Sequence, residues 1–357
     1  MRTKEDIRAL LDSLRTGENE AVNFNEEAIY TAYQKDNYDQ SLTIKILSVF
    51  GGLFASIMCL VFLYLSGLQN SEIGLLMIGA ICVAGAIWVN KIYDKIVIDT
   101  VTISSYMIGF VLLGLGLDKI GINESMVYFM FISIAFCSLY IVQRYVISFI
   151  SVLIVNGSIL SLIISNTSYY LIYAYVSVLG LMVTYLFLNE AKIITAANRL
   201  SRLYNSIRVG LIISFLVGLL FLGKIGILPV SFKYVWLASL TIISAIIYLV
   251  SRLFDLLQVT KKDYKFIIYL ACVLILLPTL FSPAISGAFL IILLSFLVNY
   301  KTGLAIGLIA FMYFICQYYY DLQFTLLTKS ILLFLSGFIF FILYLVTHKK
   351  LKPDEKF

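Results

Sequence analysis

IVIDTVTISSYMIGFVLLGLG, residues 96–116, places one charged side chain, Asp99, in an otherwise uncharged run of 21 residues. As an α-helix rising 1.5 Å per residue, such a run is about 30 Å long, the thickness of a bilayer's hydrocarbon core. Lipid offers no partner for a backbone amide, so a spanning segment must bond within itself. The apolar–polar alternation of a barrel strand is missing. The run therefore reads as a transmembrane helix over 96–117. Asp99 needs a reason to be there, because a carboxylate at the centre of a span is unfavourable by about 2.5–3.5 kcal/mol on insertion scales. It lies about one turn inside the boundary and four residues after Lys95, so a helix-end ion pair accounts for it. The functional reading is an ion or proton site helped by Thr100, Thr102, Ser104 and Ser105. The same hydroxyls equally suit contact between helices.

Working outward, the whole chain of 357 residues is 61% hydrophobic and 13% charged, with a mean hydropathy of +0.99. Soluble proteins hold about 45–50% apolar and about 25% charged residues. Apolar runs recur at 46–67, 72–90, 96–117, 125–143, 145–164, 169–188, 209–225, 234–251, 265–281, 283–299, 302–320 and 325–346. The fold class that follows is all-α, a polytopic transmembrane bundle of about twelve spans with short connections. With the N-terminus inside, the tails and every second loop collect 22 of the 26 lysines and arginines. Only Lys119, Lys224, Lys233 and Lys329 fall outside. That bias is the positive-inside pattern and predicts that both termini are cytoplasmic.

Residues 1–44 form a distinct acidic cytoplasmic tail, with nine acids against five bases. No cleavable signal-peptide pattern opens it, so the first apolar run is expected to act as an uncleaved anchor. Thr3-Lys4-Glu5-Asp6 fits a capping box, and Ile7, Leu10, Leu11 and Leu14 follow at helical spacing, which predicts a short amphipathic helix. Asn25 before Glu26 and Glu27 suits a second helix start. Residues 45–347 make the transmembrane bundle and 348–357 a basic tail. The longest internal loop, NEAKIITAANRLSRLYNSIR at 189–208, carries four bases and is expected to be an interfacial helix between two six-span halves. No residue-level repeat relates those halves. The five cysteines all fall inside apolar runs without a neighbouring histidine, as small buried hydrophobes do. Pro278 and Pro283 mark a prolyl turn or a broken helix.

Signals for chemistry are few. The single histidine, His348, sits beside Lys349 and Lys350 past the last span. No zincin, nucleophile-elbow or phosphate-loop motif is present, and no basic aromatic surface for nucleic acid. The residues therefore predict no catalytic set, no cofactor and no metal site, with the lipid bilayer as the one certain partner. QYYYDLQFTLLTKS, 317–330, holds the other ionisable groups within the apolar region. Tyr318, Tyr319 and Tyr320 suit an outer interfacial belt, Asp321 falls in a turn, and Lys329 lies within snorkelling reach of the headgroups and of Asp321.

The ending YYYDLQFTLLTKSILLFLSGFIFF resembles the tyrosine-rich ending of bacterial membrane proteins assigned to domain of unknown function 4401. The polar N-terminal tail, the stretch at 96–116 and RYVISFISVL at 144–153 are similar to that family as well. The resemblance runs along most of the chain. It implies a many-span protein of the bacterial cytoplasmic membrane, acting with a membrane-anchored partner that carries a Gly-Asp-Tyr motif, and it singles out Tyr320, Leu322, Lys329 and Ser330. It implies no activity. Two functions follow as expectations: a non-enzymatic protein that assembles with a membrane or envelope partner, or a transporter of a small or lipid-like solute with Asp99 and Lys329 in its pathway. An intramembrane enzyme ranks behind both.

Overall fold

The computed structural model describes residues 42–67, 70–92, 96–142, 144–196, 198–223, 234–256 and 276–321, with isolated positions between 228 and 345. The expected helices of the acidic tail and the basic C-terminal tail lie outside the described residues, as do most positions of the expected span at 325–346 and several of that at 265–281. Eleven α-helices are delimited among the described residues: α1 Leu42–Leu65, α2 Glu72–Ile92, α3 Ile96–Lys119, α4 Glu124–Ile141, α5 Tyr145–Ser165, α6 Leu171–Leu188, α7 Glu190–Ala196, α8 Asn198–Gly223, α9 Val235–Leu256, α10 Pro283–Leu297 and α11 Lys301–Asp321. No strand occurs among them. Eight of these helices are long and apolar enough to cross a membrane, and Phe50–Leu65 and Pro283–Leu297 are shorter apolar helices.

The helices leave many of their large apolar side chains outside the packed interior. Phe62, Leu65, Trp88, Phe136, Phe296 and Ile309 are all exposed. In water such a surface would be unsupportable at about 25 cal/mol per Å²; in lipid it is the expected outer face. The protein is a polytopic membrane protein.

The chain divides into two compact units, up to Ser151 and from Val152 onward. This boundary falls within α5. Residues 189–208 are not one interfacial helix. They form α7 and the first turns of α8, which runs on unbroken to Gly223. Arg208 lies inside α8 and is paired with Glu190, so its charge does not interrupt the apolar run that follows.

Within the first unit, α2 and α3 form an antiparallel hairpin whose backbones nearly touch. A Cβ built on Gly109 would lie 2.9 Å from the Gly79 carbonyl oxygen and 2.9 Å from the Val83 amide nitrogen. Only glycine fits there, and small residues of this kind let membrane helices approach closely. Side-chain hydroxyls add cross-links. Ser105 Oγ donates to the Cys82 carbonyl of α2 at 3.0 Å, and Ser104 Oγ lies 3.0 Å from the Gly52 carbonyl of α1. Ser104 and Ser105 thus serve contact between helices.

In the second unit, α6 and α9 run parallel, joined by a Thr241 to Ser177 hydrogen bond of 3.0 Å. Helix α8 runs antiparallel to α6, with Gly180 against the Phe215 ring and Gly218 against Val176. Helix α10 is antiparallel to α8, its Gly287 facing Leu219 and Phe215. The expected prolyl turn is a short 3-10 turn, Leu277–Phe281, leading into Pro283 at the first position of α10. There its missing N–H is no loss.

Several turns end helices in one way. After α3, Ile122 N–H donates to Leu117 O and Gly121 N–H to Asp118 O, with Gly121 at φ 80°. The same bonds recur after α5 with Thr167 at φ 51° and after α10 with Asn299 at φ 54°. This is the Schellman cap, which requires a left-handed residue.

Candidate functional site

Asp99, the sole charge in the opening stretch, is buried at 5% exposure in the first turn of α3. Across from it, near the end of α2, stands Asn90, 1% exposed. Asn90 Nδ2–H donates to Asp99 Oδ1 at 3.0 Å and reaches Thr102 Oγ1 at 3.3 Å. Thr102 Oγ1 in turn donates to the Asp99 carbonyl at 2.9 Å. Three polar side chains are thereby fastened across the closed end of the α2–α3 hairpin. The carboxylate also sits where the amide-rich N-terminus of α3 favours negative charge. Asn90 Oδ1 is buried with no hydrogen-bond partner, so the cluster holds one acceptor to spare. Lys95, the ion-pair partner expected from spacing, lies outside the described residues.

A second polar knot in the same unit is uncharged. Tyr106 Oη lies 2.6 Å from Ser138 Oγ and 2.9 Å from Ser151 Oγ, and the two serines are 2.9 Å apart. Ser138 Oγ gives its own proton to the Ala135 carbonyl at 2.8 Å. Tyr106 and Ser151 are then left to donate toward it. The knot ties α3, α4 and the start of α5 together and leaves each hydroxyl engaged.

The second unit buries a cation. The Arg208 side chain is 9% exposed, and its Nη1–H donates to Glu190 Oε1 of α7 at 3.1 Å, the Glu190 side chain being 26% exposed. Nη2–H donates to Asn205 Oδ1 at 3.1 Å. Three aromatic faces surround the guanidinium. Its Cζ lies 3.7 Å from the Tyr300 ring centroid, 5.0 Å from Tyr204 and 5.5 Å from Phe187. A planar, weakly hydrated cation is suited to such a cage. Arg208 Nε and Glu190 Oε2 are buried without partners.

The tyrosine-rich stretch is less enclosed. Tyr318, Tyr319, Tyr320 and Asp321 are the last residues of α11, so Asp321 ends a helix where a turn residue is expected. Tyr320 is 79% exposed and its ring meets that of Tyr319 edge-on at 5.8 Å. Asp321 Oδ2 and both polar atoms of Gln317, one turn earlier, are buried without partners. Leu322 and Lys329 lie outside the described residues, and Ser330 is helical and exposed.

The structure therefore brings Asp99 together with Thr102, as the spacing of α3 allows, and adds Asn90, Arg208 and Glu190, which sequence reasoning did not single out. Asn90 left a signal, an amide in the apolar run WVN nine residues before Asp99. Arg208 left none, because it reads as one more loop base among four.

Among the described residues, no group of three or more His, Cys, Asp or Glu side chains is placed to hold a metal. A model of the family described as domain of unknown function (DUF4401) matches residues 41–350. The chain belongs to that family. The match begins one residue before α1 and so includes both compact units, with the Asp99 and Arg208 clusters inside it. No curated protein and no solved structure matches the chain.

Proposed function

We propose that this DUF4401 protein is a non-enzymatic component of the bacterial cytoplasmic membrane that assembles with a second membrane protein, both termini lying in the cytoplasm. The observation that carries this reading is the uneven burial of the spans. About half of α3, α5, α6 and α8 is buried, against 17% of α4 and 17% of α11. These two helices spend a narrow stripe on the bundle and leave Phe129, Phe136, Ile309 and Met312 outward. Broad apolar helix faces suit the helices of a partner, since association in lipid runs on packing rather than on hydrophobic burial. A photo-crosslinking residue at Phe136 or Met312 in native membranes is expected to yield one discrete protein adduct, and one at Tyr106 none. Lipid adducts alone at both outward positions would end the assembly reading. For orientation, a cysteine beside Asp118 should label from outside and one beside Arg199 should not.

A second reading, transport of a small or lipid-like solute, is favoured by the Asp99–Asn90 cluster. A buried ionisable group in a span is a standing candidate for a pathway. Proteoliposomes loaded with a pH-sensitive dye distinguish the two. If Asp99→Asn folds normally and abolishes a proton flux that the wild type supports, transport displaces assembly.

A further inference from the structure

Helix α11 turns one stripe inward along its whole length. Gly303, Gly307, Phe314, Gln317 and Asp321 fall within about 80° of one another at 3.6 residues per turn, and the first three are buried. Gly303 lies against Ser295, and Gly307 against Ile291 and Ile292. The two helices are therefore antiparallel, each step forward on α11 answering a step back on α10. That register brings Phe314 level with the start of α10 at Pro283, so Gln317 and Asp321 lie beyond it. The stripe changes from glycine and phenylalanine to an amide and an acid where its covering helix ends. Both polar residues are half-buried, and Asp321 Oδ2, Gln317 Oε1 and Gln317 Nε2 are enclosed without a partner.

We propose that the end of α11 binds a hard metal cation of the calcium type, held by the Asp321 carboxylate and the Gln317 amide oxygen. A carboxylate oxygen taken out of water is unfavourable unless it is paired. The helix adds to the need, because its C-terminus carries about half a negative charge. Both effects favour a cation and disfavour an anion. A bound water would satisfy the amide and leave the charge. The ligands are oxygens of the kinds calcium takes, a carboxylate and a side-chain amide, with water free to complete its coordination. This is one acid among neutral oxygens, a different arrangement from the group of three or more ligating side chains that the described residues lack. Residues four apart on a helix stand about 5–6 Å apart at Cβ, which lets the two side chains converge on one ion. Gln317 turns its oxygen inward without breaking a bond, since neither end of its amide is engaged. Calcium tolerates such an irregular site, whereas magnesium demands a near-ideal octahedron. A single carboxylate puts the affinity in the weakest class, a Kd of about 10⁻⁴–10⁻³ M. Tyr318 and Tyr320, exposed beside the site, suit the headgroup level, so the ion enters from water rather than through lipid.

The test is the thermal midpoint of the purified full chain in non-ionic detergent, stripped of metal with EDTA and titrated with calcium chloride or, at matched ionic strength, with choline chloride. The wild-type midpoint should rise saturably with calcium alone, half-maximally at about 10⁻⁴–10⁻³ M. Asp321→Asn removes the one charged ligand and should move the half-maximum up by at least about tenfold. Gln317→Leu keeps the charge, loses one neutral oxygen and should move it about fivefold. Asp118→Asn, an exposed acid near the end of α3, should leave it in place. A wild type that responds to calcium no more than to choline, or an Asp321→Asn protein with the wild-type half-maximum, overturns the proposal. If Asp321→Asn does not fold, an unmoved half-maximum in Gln317→Leu overturns it instead. The protein is assayed alone and both substitutions lie on the inward stripe, whereas Met312 points outward. Failure here therefore leaves the assembly reading standing, and loss of the partner adduct leaves this site standing.

Discussion

Glycine does different work in the two units. Between α2 and α3, a Cβ on Gly109 would run into the backbone of the facing helix, at the Gly79 oxygen and the Val83 nitrogen. Between α6, α8 and α10, Gly180 and Gly287 face side chains, the Phe215 ring and the Leu219 methyls. The first hairpin is held by main chain lying against main chain, an arrangement that nothing can adjust. The second unit is held by large side chains seated in notches, and side chains can repack. The buried charges follow the same division. Asp99 is steadied by a short amide and a hydroxyl across the hairpin, whereas Arg208 needs an acid and three aromatic rings that only a wider interhelical space admits.

The largest expected effect tests the second unit. Glu190→Ala leaves Arg208 buried without its acid, and breaking such a pair costs about 3–5 kcal/mol; the partial exposure of Glu190 puts the expectation at about 3. Replacing both partners, Glu190→Leu with Arg208→Met, should come close to neutral, because the desolvation penalty leaves with the charges. Thermal midpoints in detergent compare the two. A double variant as unstable as Glu190→Ala would show that the cation inside its aromatic cage, rather than the pair, holds α6 and the turn between α10 and α11 to α8.

The next effect sets the units against each other directly. Gly109→Ala and Gly287→Ala should each cost about 1–3 kcal/mol through overpacking. The difference lies in rescue. Leu219→Ala removes the methyls that a Cβ at 287 meets, so a double-mutant cycle should show a favourable coupling of about 1 kcal/mol or more. Val83→Ala cannot rescue Gly109→Ala, because the Gly79 oxygen and the Val83 nitrogen remain in place. Gly85→Ala in α2 is the control. A Cβ there meets nothing within 4 Å, and the gain in helix propensity of about 0.8–1.0 kcal/mol should appear undiluted. Equal rescue in the two units would erase the distinction.

Class and architecture were legible because they rest on length and hydropathy, which a span cannot disguise. The runs at 72–90, 96–117, 145–164 and 169–188 fall within a few residues of α2, α3, α5 and α6. What the sequence hid depends on pairing across helices. Residues 189–208 read as an interfacial segment because hydropathy counts Arg208 as a full charge, while in the fold Glu190 and Tyr300 cancel most of that cost. Asp99 was visible as an anomaly, but its partner Asn90 is nine residues away on another helix, and nothing in an apolar run says which face meets which. The boundary at Ser151 was invisible for the same reason, since it lies inside a continuous helix and follows from contacts alone.

Smaller effects bear on the polar knots. Asn90→Ala and Tyr106→Phe should each cost about 1 kcal/mol, above the average of about 0.6 and below the maximum of about 1.7 measured for interhelical hydrogen bonds in membranes. A Tyr106→Phe protein as stable as the wild type would mean that the Ser138–Ser151 bond already present satisfies both hydroxyls without the tyrosine. The smallest effect returns to the turns. The first unit caps α3 with Gly121, which takes φ 80° freely, while the second caps α5 with Thr167 at φ 51°. A β-branched residue held there stores about 1 kcal/mol or more of strain, so Thr167→Gly should raise stability by up to about 1 kcal/mol, reduced by the greater freedom of glycine in the unfolded chain. Gly121→Thr should lose a comparable amount. If Thr167→Gly is instead destabilising, the Thr167 Oγ1 bond to the Asn166 carbonyl at 2.8 Å outweighs the strain, and the two caps are equivalent after all.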